Sequence, residues 1–163
     1  MKIFGIVGWK NSGKTGLMER LVSEFSRRGV TVSTIKHAHH EFDVDQPGKD
    51  SFRHRTAGAR EVVVASAHRF AIMHELRGAP EPSLNDFLAQ MSPVDLVLIE
   101  GYKSGRHPKI EAHRGETRKD LLARKDTNVL AVASDEIVTV DCPTFDLDDT
   151  QSIADFIAAQ VGL

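Results

Sequence analysis

Residues 8–15 read GWKNSGKT, and they constrain the fold more than any other stretch of this chain. Two glycines stand five positions apart, and a lysine and a threonine follow the second glycine. Gly8 and Gly13 permit backbone angles at which successive amide N–H groups turn toward one point. A helix that begins near Lys14 aims the positive end of its dipole at the same point. The pattern G-x-x-x-x-G-K-[ST] therefore predicts a phosphate-binding turn between a strand and a helix.

The segments on either side of this turn fit that prediction. Residues 2–7, KIFGIV, form a short apolar run, which is typical of a strand buried on both faces of a parallel sheet. Apolar residues recur at helical spacing from 15 to 28, and Gly29 ends the helix. Residues 30–36 form the next strand, which completes a β-α-β unit. The alternative is a chance turn, which typical residue frequencies produce in roughly 1 of 200 chains of this size.

The rest of the chain is predicted to alternate strands and helices, with one interruption. The interruption is a β-hairpin with strands at 61–65 and 69–76. We therefore expect an α/β fold, with a mostly parallel doubly wound sheet, helices on both faces and an inserted hairpin at about 61–76, in a single nucleotide-binding domain of residues 1–163. The other predicted strands are 95–100, 109–113, 128–133 and 144–147, and the other helical segments are 50–57, 83–91 and 149–161.

Composition limits the setting in which the chain works. Its net charge of −2 does not favour nucleic acid or an anionic membrane as a partner. No apolar stretch approaches the roughly 20 residues that span a bilayer, and the N-terminal run is too short for a signal peptide. Cys142 is the one cysteine, so an intrachain disulfide is excluded. We expect a cytoplasmic protein.

Glu100 is the candidate for a second acid at the phosphate site. It closes the apolar segment DLVLIE, residues 95–100, and ligands of doubly wound sheets bind at the carboxyl ends of strands. Glu100 and the following Gly101 are therefore expected beside the phosphates, with Asp95 at the far end. Lys14 is predicted to reach the outer phosphates, and Mg²⁺ is predicted to bind the hydroxyl of Thr15 and the carboxylate of Glu100. The plain alternative for Glu100 is a solvated charge at a strand end.

The histidine-rich stretch KHAHH, residues 36–40, invites a metal site. However, no cysteine lies near it, and the neighbouring acids do not show a zinc spacing. His37 and His40 are better interpreted as a polar wall of the anion site.

Two charged segments supply further candidates. In DSFRHR, residues 50–55, Asp50 and Arg53 are candidate nucleotide contacts, whereas Arg55 fits a phosphate clamp and an internal ion pair equally well. The segment KSGRHPK, residues 103–109, fits either an anion-binding loop or a solvated one.

Ser134 and Asp135 follow a late strand, where an aspartate reads the base in many guanine-nucleotide proteins, but a plain turn explains them as well. The candidate catalytic residues are Lys14 and Glu100. The full set of candidate binding residues is Gly8, Asn11, Ser12, Gly13, Lys14, Thr15, Gly16, His37, Asp50, Arg53, Gly101, Ser134 and Asp135.

Five stretches together resemble the molybdopterin-guanine dinucleotide biosynthesis adapter protein (MobB) family. In order they are GWKNSGKT, TIKHAHH, FDVDQPGKDSFRHRTAGA, VDLVLIEGYK and VLAVASD, and the resemblance that they carry covers nearly the whole chain. The second and third stretches are the most specific, because other P-loop proteins lack them. One departure is Ala38, where the family pattern leads us to expect a polar residue.

This resemblance implies a P-loop NTPase fold of the branch that includes dethiobiotin synthetase and the signal-recognition GTPases. It also implies GTP and Mg²⁺ as cofactors, with at most slow GTPase activity. The resemblance further implies a homodimer joined through the hairpin, here 61–76. Their partner is the molybdenum cofactor guanylyltransferase, the enzyme that joins GMP to molybdopterin. The resemblance implies that this chain assists that step, and it leaves open whether molybdopterin itself binds here.

Two other functions stay open on the residues alone. A P-loop small-molecule kinase or ATP-dependent ligase would need an acceptor pocket, which segment 36–55 has the polar residues to build. A scaffold whose glycine-rich turn is only structural would bind no nucleotide. The lack of an obvious glutamine near Glu100 to position water favours slow hydrolysis in any case.

Overall fold

The computed structural model describes residues 1–38 and 42–163, which fall into two compact units. The first unit comprises Met1–Ala38 and Pro93–Leu163, and the second comprises His39–Ser92. The predicted role of His40 in the anion site lies outside the described residues. The expectation of a single domain over 1–163 stays a prediction.

Strands and helices alternate along most of the chain, as the sequence predicted. In chain order the elements are β1 (Lys2–Val7), α1 (Lys14–Arg27), β2 (Val32–Lys36), α2 (Asp50–Thr56), β3 (Glu61–Ala65), β4 (Phe70–His74), α3 (Leu84–Gln90), β5 (Leu96–Glu100), β6 (Lys109–His113), β7 (Val129–Ser134), β8 (Thr144–Asp146) and α4 (Thr150–Val161), with short 3-10 helices at Gly115–Thr117 and Leu122–Arg124.

The first unit is built on a six-stranded sheet of order β2-β5-β1-β6-β7-β8. Each pair of neighbours in it is parallel, and β3 and β4 form a separate antiparallel sheet in the second unit. The predicted α/β class with an inserted hairpin is confirmed. After β5 the chain crosses to the other side of β1, so the winding direction reverses around β1. Ligands of such sheets bind at the carboxyl end of this reversal point.

Helices α1 and α4 pack together on one face of the six-stranded sheet. Side-chain direction alternates along a strand, so every second strand residue points to these helices. Phe156 of α4 meets Phe4 of β1 edge to face, with ring centroids 6.5 Å apart. The core residues that these elements share include Phe4, Ile6, Leu17, Leu21, Phe25, Leu96, Leu98, Ile110, Ala112, Ala131, Ala133, Ile153 and Ile157.

The opposite face of β6 carries buried charge. Lys109 is fully buried, and its Nζ donates hydrogen bonds to the carbonyl oxygens of Lys103 and Gly105 and to Asp126 Oδ2, the last at 2.7 Å. A buried ammonium is stable only when its hydrogen bonds are satisfied in this way. Lys109 therefore ties the loop after β5 to the sheet.

Glu111, two residues further along β6, holds the next loop in the same manner. Its carboxylate accepts hydrogen bonds from the amides of Leu122 at 3.0 Å and Ala123 at 2.9 Å. Burial raises the pKa of Glu111, and the two amide hydrogen bonds oppose that rise. Both connections that follow β5 and β6 are thus fixed by charged groups on one strand.

Asp95 lies at the far end of β5 from Glu100, as predicted. Its Oδ2 accepts hydrogen bonds from the amide of Thr31 at 2.8 Å and from the Thr31 hydroxyl at 2.6 Å. These hydrogen bonds lower the pKa of the carboxyl group. Asp95 joins the start of β2 to the start of β5.

In the second unit, Arg55 forms an internal ion-pair network. Its guanidinium lies 2.8 Å from Asp43, 3.3 Å from Asp45 and 2.7 Å from Glu75. Hydrogen bonds from Asp43 and Glu75 raise the pKa of Arg55. Of the two interpretations of Arg55, the geometry supports the ion pair, which connects α2 to the chain after β4.

Replacing Lys109 by methionine keeps most of the side-chain volume but removes the donor for three oxygens. We expect Lys109→Met to lower the free energy of unfolding by about 1–3 kcal/mol, the usual range for a hydrogen bond to a charged group. Urea denaturation followed by circular dichroism measures this. The exposed neighbour Lys125, changed to methionine, is the matched control and should leave stability unchanged. Equal stability of the two variants would contradict the anchoring role of Lys109.

Candidate phosphate-binding site

The turn between β1 and α1 has the backbone that the glycine pattern predicted. Gly8 has φ +147° and Gly13 has φ +89°, and Gly13 is the residue from which α1 begins. A Cβ atom at Gly8 would overlap the carbonyl oxygen of Ala112 and the hydroxyl of Ser12. Only glycine therefore fits this close approach between the turn and β6.

A cavity of about 340 Å³ opens at this turn, at the carboxyl end of β1. Six consecutive residues, 11–16, line it, and Arg114 and Glu116 from the chain after β6 complete the wall. Six of the predicted binding residues thus share one concave surface, whereas Gly8 shapes the turn behind it. The six are Asn11, Ser12, Gly13, Lys14, Thr15 and Gly16.

Ser12 contributes a buried hydroxyl to this wall. Its exposed fraction is 1%, and its Oγ has no hydrogen-bond partner within residues 1–38 and 42–163. A buried polar atom without a partner is costly, and each such case calls for an explanation. An acceptor oxygen of a bound anion would satisfy this hydroxyl, so the donor set of the turn fits a phosphate group.

Lys14 and Glu100 come together beside the turn. Lys14 Nζ donates a hydrogen bond of 2.6 Å to the carbonyl oxygen of Trp9. Burial lowers the pKa of Lys14, the Glu100 carboxylate opposes this, and the charges of Lys103 and Lys36 lower it further. Lys36 Nζ lies 3.7 Å from Glu100 Oε1. Lys14 is therefore near one carboxylate and two other ammonium groups, which leaves local positive charge for a polyanion.

His37 and Gly101 lie next to Glu100. The amide of His37 donates a 2.9 Å hydrogen bond to the carbonyl oxygen of Glu100, and the amide of Gly101 donates one of 3.1 Å to Ile6. The imidazole of His37 stacks on the ring of Tyr102, with centroids 4.3 Å apart. These contacts place both predicted residues at the carboxyl end of β5.

Trp9 links the turn to two other segments. Its Nε1 donates a 2.8 Å hydrogen bond to the carbonyl oxygen of Asp120, and the ammonium of Lys103 lies 4.2 Å from its ring centroid. The loop after β5 therefore rests on the turn through a cation–π contact. A second cavity of about 480 Å³ adjoins the first; it is lined by Trp9, Lys10, Asn11, Glu116, Thr117 and Lys119.

Ser134 and Asp135 hold backbone rather than line either cavity. Asp135 Oδ1 accepts a 3.0 Å hydrogen bond from the amide of Gly115, and Ser134 Oγ accepts one of 3.1 Å from the amide of Glu136. These contacts fit a plain turn, and the predicted contact of this pair with a guanine base stays a prediction. Asp135 fixes the beginning of the segment that carries Glu116.

Asp50 and Arg53 belong to the second unit, on α2. Both side chains are exposed, and Arg53 Nη1 lies 3.8 Å from Asp50 Oδ1. Their predicted contact with the nucleotide stays a prediction.

Arg114 and Glu116 line the phosphate cavity although no sequence pattern above named them. The signal that would have found them is their place directly after β6, since the carboxyl ends of neighbouring parallel strands meet at one edge of the sheet. In the part of the chain that the structure describes, no cluster of three histidine, cysteine or acidic residues could hold a metal ion. No helix in that part is long and apolar enough to cross a membrane.

Comparisons with known proteins agree on one family. The family model described as molybdopterin guanine dinucleotide synthesis protein B (MobB) matches residues 3–135. The chain is 44% identical over 158 residues to the molybdopterin-guanine dinucleotide biosynthesis adapter protein of Haemophilus influenzae, covering 95% of this chain and 86% of that one. Identity to the protein of the same name from Escherichia coli is 38% over 160 residues, covering 95% and 90%. The crystal structure of a MobB homologue from Bacillus stearothermophilus matches with a TM-score of 0.75 at 31% identity, covering 99% of each chain.

Gly13 in the turn and Gly16 in α1 allow a matched test of this backbone. Gly13 has φ +89°, which strains any residue with a side chain, and a Cβ there would lie 3.0 Å from Leu147 Cδ2. We therefore expect Gly13→Ala to lower the free energy of unfolding by about 1–2 kcal/mol. Gly16 lies inside α1 with only the Arg20 guanidinium near, at 3.6 Å, so Gly16→Ala should gain about 0.5–1 kcal/mol. Thermal unfolding compares the two, and effects of the same sign would contradict the described turn.

Proposed function

Because this chain belongs to the MobB family, we propose that it binds GTP and Mg²⁺ at the 8–15 turn while it assists the attachment of GMP to molybdopterin. It acts as an adapter protein in the biosynthesis of molybdopterin guanine dinucleotide. The observation that carries the nucleotide proposal is the single cavity lined by residues 11–16 with Lys14 in its wall.

Different residues at the cavity would bind different parts of the nucleotide and its metal ion. The amides of the turn and the dipole of α1 attract phosphate oxygens, and Lys14 provides a charge for the outer phosphates. Thr15 and Glu100 would hold Mg²⁺, whose preferred ligands are oxygens. The metal would neutralise charge on the outer phosphates when bound.

Slow hydrolysis is part of the proposal. Besides Glu100, the charged groups that act on Lys14 are Lys36 and Lys103, which attract phosphate, and neither is a glutamine of the kind that positions water. GTPases that lack a residue for positioning water hydrolyse slowly until a partner completes the site. An adapter with this site would hold GTP rather than turn it over. The proposed partner is the guanylyltransferase that joins GMP to molybdopterin.

The hairpin supports the proposal of a homodimer. Val63 pairs with Ile72 across the two strands, and Phe70 lies two residues from Ile72 on the same face. Their exposed fractions are 57%, 56% and 70%. An apolar patch of this kind on a small sheet marks an interaction surface, and twofold dimers bury the same patch on both subunits. We propose that a second copy of the chain covers it.

Removing the ammonium of Lys14 tests the nucleotide site. We expect Lys14→Ala to weaken GTP binding by roughly 10- to 100-fold, the loss that corresponds to a hydrogen bond to a charged group. Isothermal titration with GTP, ATP and GMP in the presence of Mg²⁺ measures this and the preference among nucleotides. Lys125→Ala removes the same charge from an exposed site and serves as the control. Unchanged GTP affinity in Lys14→Ala would refute the site, and rapid phosphoryl transfer to a small acceptor would favour a kinase or ligase instead.

Charging the hairpin tests the dimer. Ile72→Glu would place two like charges in an apolar contact, so we expect a monomer by light scattering. Ile137 is fully exposed in the first unit, so Ile137→Glu is a control with the same substitution and should leave the dimer intact. A dimer that persists in Ile72→Glu would rule out this face.

A further inference from the structure

We propose that Arg114 is a second cationic ligand of the nucleotide and binds the inner phosphates, those that GDP and GTP share. This inference rests on the proposed nucleotide site. Arg114 directly follows β6 and lines the same cavity as residues 11–16. Its Nε lies 3.1 Å from the position that a Cβ of Gly13 would occupy. The guanidinium therefore lies against the first turn of α1, where the helix dipole is most positive.

The guanidinium of Arg114 has no ion-pair partner in the described part of the protein, although Glu116 lines the same cavity. Within residues 1–38 and 42–163, the Arg114 side chain makes no ion pair or side-chain hydrogen bond. The other half-buried arginines are paired: Arg20 with Asp148, and Arg55 with three acids. An unpaired guanidinium beside a helix N-terminus is an unfavourable arrangement of two positive groups. A bound dianion would make it favourable.

Ser12 gives a second, independent indication of an anion at this place. Its buried hydroxyl has no partner in the same described residues and belongs to the same cavity wall. A phosphate group can accept hydrogen bonds from the hydroxyl, from turn amides and from both arms of a guanidinium. An anion on the turn would neutralise the arginine, and the Ser12 hydroxyl is a further donor in the same wall.

The charges in the cavity indicate which phosphates Arg114 meets. Glu100 ends β5 and Lys36 ends β2, with Lys36 Nζ 3.7 Å from Glu100 Oε1. The lysine end of the cradle therefore lies toward β5 and β2, on the opposite side of β1 from β6. Arg114 belongs to the other wall, with Glu116, which also borders the second cavity. Lys14 serves the outer phosphates in turns of this type. The opposite wall then faces the inner phosphates and the nucleoside.

The backbone holds Arg114 in place from both sides. Its carbonyl oxygen accepts hydrogen bonds from the amide of Thr117 at 3.0 Å and from the Thr117 hydroxyl at 2.8 Å. The next residue, Gly115, donates its amide to Asp135 at 3.0 Å. The guanidinium is therefore carried on a fixed turn, which reduces the entropy lost when it binds a phosphate.

Titration of GDP and GTP into the Arg114 variants, with Mg²⁺ present, tests the inference. We expect Arg114→Gln to weaken GDP and GTP alike by roughly 10- to 100-fold, and Arg114→Lys, which keeps the charge but loses the planar fork, to weaken both less. The control is Arg118→Gln, which removes the same charge four residues away, at an exposed position outside both cavities. Circular dichroism without nucleotide verifies that each variant is folded, and Arg114→Lys carries the test if Arg114→Gln does not fold.

The outcomes separate this inference from the proposed function. If Arg114→Gln and Arg114→Lys bind both nucleotides as tightly as Arg118→Gln while Lys14→Ala does not, the role of Arg114 is overturned and the phosphate site stands. A loss of GTP affinity alone, with GDP unaffected, would place the guanidinium at the outer phosphate and overturn the assignment to the inner ones. Unchanged affinity in Lys14→Ala would remove the site itself.

Discussion

The close approach of the β1–α1 turn to β6 is the constraint on which the rest of this structure depends. The backbone at Gly8 lies so near the carbonyl oxygen of Ala112 that a side chain does not fit. That contact requires β6 to be the direct neighbour of β1, which in turn requires the chain to cross over β1 after β5. The crossing brings residues from the ends of β5 and β6 to the two sides of one turn. The glycine-rich turn therefore fits only this strand order, and the same strand order places residues from the ends of β5 and β6 beside it.

Charge is distributed unevenly in this protein. The whole chain carries a net charge of −2, yet Lys14 lies among the charges of two other lysines, Lys36 and Lys103, and of Glu100. Total charge governs solubility and long-range steering, whereas a local cluster decides what binds at one place. Glu100 lies 3.7 Å from Lys36 and the charge of Lys103 also acts on Glu111, whereas other acids pair with arginines, such as Glu24 with Arg27 and Arg28. An overall acidic protein can in this way present a cationic cradle.

The fold and the part of the site formed by residues 8–16 could be predicted from the sequence, because both depend on patterns of consecutive residues. Apolar runs and helical spacing gave the elements, with errors of one or two residues at their ends. Ser83 and Asp149 cap α3 and α4 rather than belong to them, and β2 begins two residues later than predicted. Arg114 was missed although it directly follows a predicted strand, because the pairing of β1 with β6 that brings it to the turn is not visible in consecutive residues. The sequence KIEAH also did not reveal that the charges of β6 are buried, because the burial of Lys109 depends on loops that meet only in the folded chain.

Trp9 is the single tryptophan of the chain, and it sits inside the turn beneath the ammonium of Lys103. The near-ultraviolet absorbance and emission of the protein are for that reason dominated by one indole. This indole lines the second cavity and contacts the loop after β5. A cation over an indole perturbs its excited state, and withdrawal of that cation changes the colour and yield of the emitted light. The molecule thus carries an intrinsic optical probe at the place where its chemistry is expected.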